Sequence, residues 1–325
     1  MFVHKKERIY FSIYVDDIAV YGDETPFAEY LISELKKKFE VTDLGEATWL
    51  LGLIQYTQQG ITISQSPYIE KVLKRFAMDM SHPVSTPMDL NHRIRSGTIE
   101  DRIVDPSYYQ SIIGSIMYAA TGSRPDLAYT TTFLSQFNNC PTSEHLQAAR
   151  RVLRYLQGTK DQVLLFPKSK SLYLEGYADA SYANDLDTRR SVSGYVFSIS
   201  ASTISWRSKK QKSVATSTTE AEYMALSLAS RQTMWLKRAF VDLRLPTKIV
   251  IYCDNTGAIE VANNPKINER TKHIDVAYHY TREKLEEHQF ELFYVASDQN
   301  LADICTKALA KPAHDRLRGL LACRQ

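Results

Sequence analysis

The sequence predicts a chain of mixed α+β and α/β character with more than one unit, whose second half is a five-stranded mixed sheet with flanking helices. Three observations carry this. The length of 325 residues suits about two domains. After residue 171 the order runs strand, strand, strand, helix, strand, helix, helix, strand, helix, which marks a mixed sheet with helices on its faces. Before residue 160, short strands and helices give way to consecutive helical stretches. Apolar residues make up 44% and charged residues 24%, as in ordinary soluble globular protein, and the length allows a sizeable core.

The first stretch, IYFSIYVDDIAVYG at 9–22, reads as two strands around Asp16 and Asp17. Burying adjacent carboxylates is costly unless something offsets their charge. Pro26 opens a helix, PFAEYLISELKKKF, with Phe27, Tyr30, Leu31, Leu35 and Phe39 near one face. ATWLLGLIQYTQ and GITISQS read as two further strands broken at Gly60, and PYIEKVLKRFAM as a helix. Pro83, Pro87, Pro106 and Gly97, with few apolar residues between, make 81–106 an extended connector. PSYYQSIIGSIMYAAT, RPDLAYTTTFLSQF and SEHLQAARRVLRYLQG are three helices, the last running from a Ser143 cap to Gly158. The segment 159–171 is polar and reads as a linker.

Beyond it the strands are SLYLEGYADAS, SVSGYVFSIS, STISWRS, KIVIYCD and FELFYVA. The helices fall at roughly 218–243, 256–263, 271–288 and 300–309. The expected division is 1–85, 86–160, a linker at 161–171, 172–310 and a C-terminal tail at 311–325.

Composition excludes some classes. A net charge of +3 does not announce nucleic-acid binding, so that reading must rest on local clusters. Cys140, Cys253, Cys305 and Cys323 lie far apart with no C-x-x-C spacing, which argues against zinc and for reduced thiols. MFVHKKERIYF lacks a signal peptide's apolar core, and SIIGSIMYAATG is too short to span a bilayer. The expectation is an intracellular chain without a membrane partner, in a cytoplasmic particle or the nucleus.

Four acids of the second half stand where chemistry can use them. Asp179 lies at the end of the first strand, Glu222 in the first turns of the long helix, Asp254 at the end of the fourth strand and Asp303 near the start of the last helix. Converging carboxylates repel, and divalent cations remove that repulsion; hard oxygen ligands suit magnesium. Two such ions activate a water and stabilise a leaving oxygen of a phosphodiester. In STTEAEY, Ser217 and Glu220 form a capping box, which leaves Glu222 free as the ligand. In RSKKQK, Arg207, Lys209, Lys210 and Lys212 form one loop able to contact phosphates. In ERTKHID, Arg270 and Lys272 lie at a helix start that favours anions. His273 there has either a catalytic or a structural role. Gly194 either lets the chain's own backbone come close to the minor groove of a nucleic-acid duplex or serves packing.

EGYADASYANDLDTRRSVSGYVF, ISWRSKKQKSVATSTTEAEYMAL, YCDNTGAIEVANNP, RTKHIDVAYHY and LADICTKAL resemble the RNase H domain of copia-type long-terminal-repeat retrotransposons. The resemblance implies that Asp179, Glu222, Asp254 and Asp303 are metal ligands, with two Mg2+ ions for which Mn2+ can substitute. It implies hydrolysis of RNA within an RNA–DNA hybrid. Tyr182, Cys305 and Ala308 depart from the family's usual pattern, and none is an implied ligand.

YVDD between apolar strands resembles the reverse-transcriptase palm motif, with Asp16 and Asp17 as metal ligands. DLGEATWLLGLIQY resembles the family's primer-holding segment, while QSPYIEKVLKRFAM, YQSIIGSIMYAATGSRPDLAY and AARRVLRYLQGT resemble the following helix and thumb. The resemblance to a copia-type Pol polyprotein thus covers nearly the whole chain: a partial palm, a helical thumb and an RNase H domain. A further palm aspartate is expected from upstream, and MFVHKKER contains none, so the polymerase site reads as incomplete. Upstream Pol segments, the fingers and the rest of the palm, are the implied partners. The alternative is a catalytically silent relic or a hybrid-binding module.

Overall fold

The computed structural model describes residues 2–3, 9–22, 26–49, 52–97, 101, 104–169, 173–245, 248–263, 275–321 and 323–324. Strands β1 (Phe2–Val3), β2 (Tyr10–Tyr14) and β3 (Asp17–Tyr21) form an antiparallel sheet. Tyr14 faces Asp17 across a tight turn at Val15 and Asp16. Val15 takes a φ of 53°, which a β-branched residue rarely adopts, and stands exposed. Asp16 and Asp17 are exposed too, so the cost of burying a carboxylate pair does not arise. Helix α1 (Pro26–Lys38) follows, with Lys36, Lys37 and Lys38 in its last turn, where cations suit the helix dipole.

Strands β4 (Leu53–Tyr56) and β5 (Gly60–Ser64) pair antiparallel, and β5 also pairs with β6 (Val163–Pro167). Gly60, at φ 150°, faces Pro167; a Cβ there would lie 2.0 Å from the Phe166 carbonyl oxygen, so glycine makes this pairing possible. β6 corrects the expected linker. Leu164 and Leu165 point to opposite faces and are both buried, which makes this short run a core strand rather than a tether. The expected tail at 311–325 holds α9 (Lys311–Leu320) and β12 (Cys323–Arg324), which completes the sheet order β12-β6-β5-β4.

Helices α2 (Ser66–Arg75), α3 (Pro106–Gly122), α4 (Ala128–Ser135) and α5 (Ser143–Gly158) pack around Leu73, Ile112, Ile116, Leu134, Val152 and Leu156. The Asp105 carboxylate accepts from the Ser107 and Tyr108 backbone N–H groups and starts α3. The cap of α5 is Thr142, one residue before the expected Ser143. The Thr142 N–H donates to Nδ1 of His145, which leaves the proton on Nε2 to donate to the Arg95 carbonyl at 2.8 Å. This ties the connector to the bundle. Burial lowers the His145 pKa, consistent with a neutral ring.

A buried ion pair ends the bundle. The Arg124 guanidinium donates to both Asp126 oxygens, at 2.9 and 2.7 Å, and to the Thr159 carbonyl and hydroxyl. The Tyr155 hydroxyl donates to Asp126 at 2.6 Å, and Arg318 of α9 reaches the same hydroxyl at 3.4 Å. Burial alone would raise the Asp126 pKa, but the Arg124 charge and these hydrogen bonds hold it at about 2.

The second half follows the expected strands. β7 (Tyr173–Ser181), β8 (Val192–Ile199), β9 (Ser202–Lys210), β10 (Lys248–Cys253) and β11 (Glu291–Tyr294) form a mixed sheet in the order β11-β10-β7-β8-β9. β10 runs parallel to β7 and β11, while β7, β8 and β9 are antiparallel. The long α6 (Thr218–Asp242) lays Leu226, Ala229 and Leu236 on one face of this sheet. Ala221 and Ala225 meet Ala180 and Ala215, and these small side chains let helix and strand approach closely. α7 (Thr256–Asn263) and α8 (Asp275–Glu286) flank it. The helix expected at 300–309 is instead a short 3-10 turn, Leu301–Cys305. Among the described residues, no helix is long and apolar enough to cross a membrane.

Candidate active site

The topology brings the four acids together from four elements. β7 and β10 are parallel neighbours with Ala178 opposite Cys253, so Asp179 and Asp254 leave the same end of the sheet side by side. Ser217 caps α6 through its hydroxyl and the Glu220 N–H, and the Glu220 carboxylate accepts from the Thr216 N–H at 2.7 Å. Glu220 is thereby committed to the helix start, and Glu222 turns toward the strand ends. One Glu222 oxygen, Oε2, is buried and has no hydrogen-bond partner. Donor atoms of Glu222, Cys253 and Asp254 all lie within 4.8 Å of one another.

The 3-10 turn supplies the fourth acid and fastens it. The buried Asn300 donates to the Ala178 carbonyl at 2.9 Å and accepts from the Ala302 N–H at 3.1 Å, which pins the turn to the end of β7. The Thr306 hydroxyl donates to Asp179 Oδ2. Lys307 Nζ lies 2.7 Å from Asp303 Oδ1 and 3.8 Å from Asp179 Oδ2. Burial, together with the neighbouring acids, raises the pKa values of Asp179 and Glu222; burial also raises that of Asp303. Burial alone would lower the Lys307 pKa, but Asp179 and Asp303 outweigh it and raise it.

The residues present fit a divalent cation. The donors are carboxylate oxygens, one of them an orphaned buried atom, and their mutual repulsion calls for positive charge. Cys253 also borders the group, and burial pushes its thiol pKa up, which favours the carboxylate oxygens over the thiol as donors.

Gly194 serves packing. It lies opposite Asp179 in the β7–β8 register, and a Cβ there would come within 2.6 Å of Thr306 Cγ2 and 2.9 Å of Cys305 Cβ. Gly194→Ala is expected to cost about 1–3 kcal/mol of stability by forcing the 3-10 turn away from β7. A urea unfolding curve checks this; an unchanged midpoint would contradict the close seating.

The expected basic cluster divides between two places. RSKKQK is not a loop before the helix, because Arg207, Lys209 and Lys210 belong to strand β9. The alternation of side chains separates them. Lys210 Nζ pairs with Asp185 at 2.5 Å and donates to Gln136 at 2.9 Å. Lys209 is lowered in pKa by burial and by the charges of Arg207, Lys212 and Arg231, so those four cations share one region. Arg231, from α6, was not expected there. Arg270, Lys272 and His273 lie outside the described residues. Asp16 and Asp17 stand on the β2–β3 hairpin, and among the described residues no third His, Cys, Asp or Glu joins them in a metal-binding group. Asn300, Thr306 and Lys307 were missed. The helix-like spacing of Asp303 and Lys307, four residues apart, was the available signal.

Comparisons with known proteins give the following. A family model for reverse transcriptase (RNA-dependent DNA polymerase) matches residues 1–90. The chain is 39% identical over 308 residues to the retrovirus-related Pol polyprotein from transposon TNT 1-94 of Nicotiana tabacum, covering 92% of this chain and 23% of that protein. The chain spans about a fifth to a quarter of the length of the Pol polyproteins it matches over nearly all of its own length. Among solved structures, it is similar to a foamy viral protease-reverse transcriptase in complex with RNA/DNA hybrid, at 15% identity and a TM-score of 0.49, covering 88% of this chain and 36% of that one. It is also similar to an RNase H1 isolated from compost by a metagenomic approach, at 16% identity and a TM-score of 0.34, covering 45% of this chain and 98% of that one.

Proposed function

The chain belongs to the copia-type family of retrovirus-related Pol polyproteins, and from that premise we propose that its second half is a magnesium-dependent RNase H that hydrolyses RNA in RNA–DNA hybrids. The observation that carries this reading is the convergence of Asp179, Glu222, Asp254 and Asp303, with Glu222 Oε2 buried and unpartnered. In this reading residues 1–85 are a partial palm and the helices before residue 160 the thumb.

Asp179, Glu222, Asp254 and Asp303 would hold Mg2+, or Mn2+ in its place. When bound, two such ions activate a water and stabilise the leaving oxygen of a phosphodiester. The chain's own residues do the rest. Asn300 and Thr306 hold Asp303 and Asp179 in register. Lys307 supplies fixed positive charge beside two of the acids. Arg207, Lys209, Lys212 and Arg231 form a cationic region suited to phosphates, which would position a hybrid without reading its sequence.

In this reading Asp16 and Asp17 are the polymerase counterpart of this centre, and further Pol segments would contribute an additional palm acid. The test is cleavage of a labelled RNA–DNA hybrid by the purified chain with magnesium and with chelator. Magnesium-dependent RNA fragments are expected, together with no templated primer extension. Binding of the hybrid without cleavage in magnesium would favour the silent relic or binding module.

A further inference from the structure

A cavity of about 520 Å³ opens beside the acid cluster, between the connector at 90–94, helix α4 and the segment after the 3-10 turn. Its lining joins parts of the chain far apart in sequence: His92 and Arg93, Tyr129 and Phe133, Asn184, and Lys307. The volume lies within the roughly 300–1,000 Å³ typical of small-molecule sites.

Its chemistry is uneven in an informative way. The lining carries Arg93 and Lys307 and no carboxylate, although the acid cluster is adjacent. That favours an anionic ligand. The floor is aromatic, with Tyr129 and Phe133 buried and His92 half-buried above them. Tyr129 stacks on Phe133 with centroids 5.9 Å apart, and the His92 ring meets Phe133 edge-on at 5.0 Å. His92 is held there by its Nδ1, 2.7 Å from the Asp89 carbonyl. On the wall, the Asn184 amide is oriented by three contacts: its Nδ2 donates to Ser181 Oγ at 2.7 Å and to the Thr306 carbonyl at 3.5 Å, and its Oδ1 accepts from the Tyr129 hydroxyl at 3.3 Å. Cations, the His92 ring and the remaining acceptor site of the Asn184 oxygen together match a phosphate, a base face and a base edge.

We propose that this cavity is a subsite for one unpaired nucleotide of a nucleic-acid strand, with the base against the half-buried His92 ring and the phosphate on Arg93 and Lys307. Lys307 makes the connection to the acids, because the same ammonium lies 2.7 Å from Asp303 and lines the cavity. A nucleotide held here is therefore a near neighbour of a phosphodiester at the cluster. The connector, which contributes no acid, thereby acquires a role in choosing where along a strand the cluster acts. Only this use in cleavage rests on the nuclease reading; the binding chemistry stands apart from it.

The experiment is photo-cross-linking of the full chain, in chelator, to an RNA–DNA hybrid with a single-stranded RNA flank carrying 4-thiouridine, followed by mass spectrometry. Adducts are expected in 90–94, and adducts confined to other segments, such as β9, overturn the proposal. Arg93→Glu is expected to weaken flank binding about tenfold, with Arg93→Lys restoring most of it and the unfolding midpoint unchanged in both. Equal affinity of wild type and Arg93→Glu also overturns it. Uridine monophosphate is the control: equal affinity for it and for the flank would make this a free-nucleotide site and refute the strand-linked form. A chain that cross-links here yet cleaves nothing refutes the nuclease reading and leaves the subsite standing.

Discussion

Asp179→Asn is expected to lower magnesium-dependent cleavage of hybrid RNA by about a thousandfold, a loss of about 4 kcal/mol of transition-state stabilisation, while the chain stays folded. The asparagine keeps the size of the side chain and its ability to accept from Thr306, so only the charge at the cluster changes. Stability provides an independent readout. Burial and neighbouring acids raise Asp179 and Glu222 above their ordinary carboxylate range, so the native state keeps protons that the unfolded chain has already released. Metal-free stability therefore falls as pH rises from the ordinary carboxylate range, about 4, toward neutral. The substitution removes one of these acids and is expected to flatten that slope. Thermal melts in chelator across this range, with initial rates in magnesium, test both points. Equal cleavage by the two proteins would remove the basis of the nuclease reading.

Asp126→Ala is expected to produce the largest loss of stability, about 3–5 kcal/mol. The pair it breaks is almost wholly buried, with Arg124 and Asp126 side chains at 1% and 0% exposure. Removal of the carboxylate leaves a buried guanidinium without its counter-charge and the Tyr155 hydroxyl without its acceptor. The damage reaches both halves of the chain, because Tyr155 also meets Arg318 and the ring of His314 on α9. A urea titration followed by tryptophan fluorescence measures it. A shift worth less than about 1 kcal/mol would show that the pair is replaceable by packing alone.

Local chemistry was legible in the sequence, and long-range pairing was not. Ser217 and Glu220 announced the start of α6, and the Glu220 carboxylate does bond to the backbone there, which leaves Glu222 as the candidate ligand. The five strands of the second half follow from their own composition. By contrast, β6 was hidden because its partners, at 60–64 and 323–324, are remote in sequence and nothing within 159–171 names them. The cap of α5 was misplaced by one residue because Ser143 and Thr142 are both good caps, and only the His145 ring decides between them. Gly194 stayed ambiguous until the turn above it was known. Lys307 escaped notice for the same reason: its value lies in two acids that a 3-10 turn and a strand end bring to it.

The pairing of β5 with β6 also has a kinetic consequence. Gly60 and Pro167 meet across about a hundred residues of intervening chain, and β12 joins the same sheet from farther still. During synthesis β5 emerges well before its partner, with Ile61 and Ile63 on an unpaired edge, while the helices after it complete local contacts quickly. This four-stranded sheet is therefore expected to be the last part to close and the most exposed to wrong pairing. Attempts to produce the second half alone should place the N-terminal cut well away from residues 163–167, since that strand belongs to both halves.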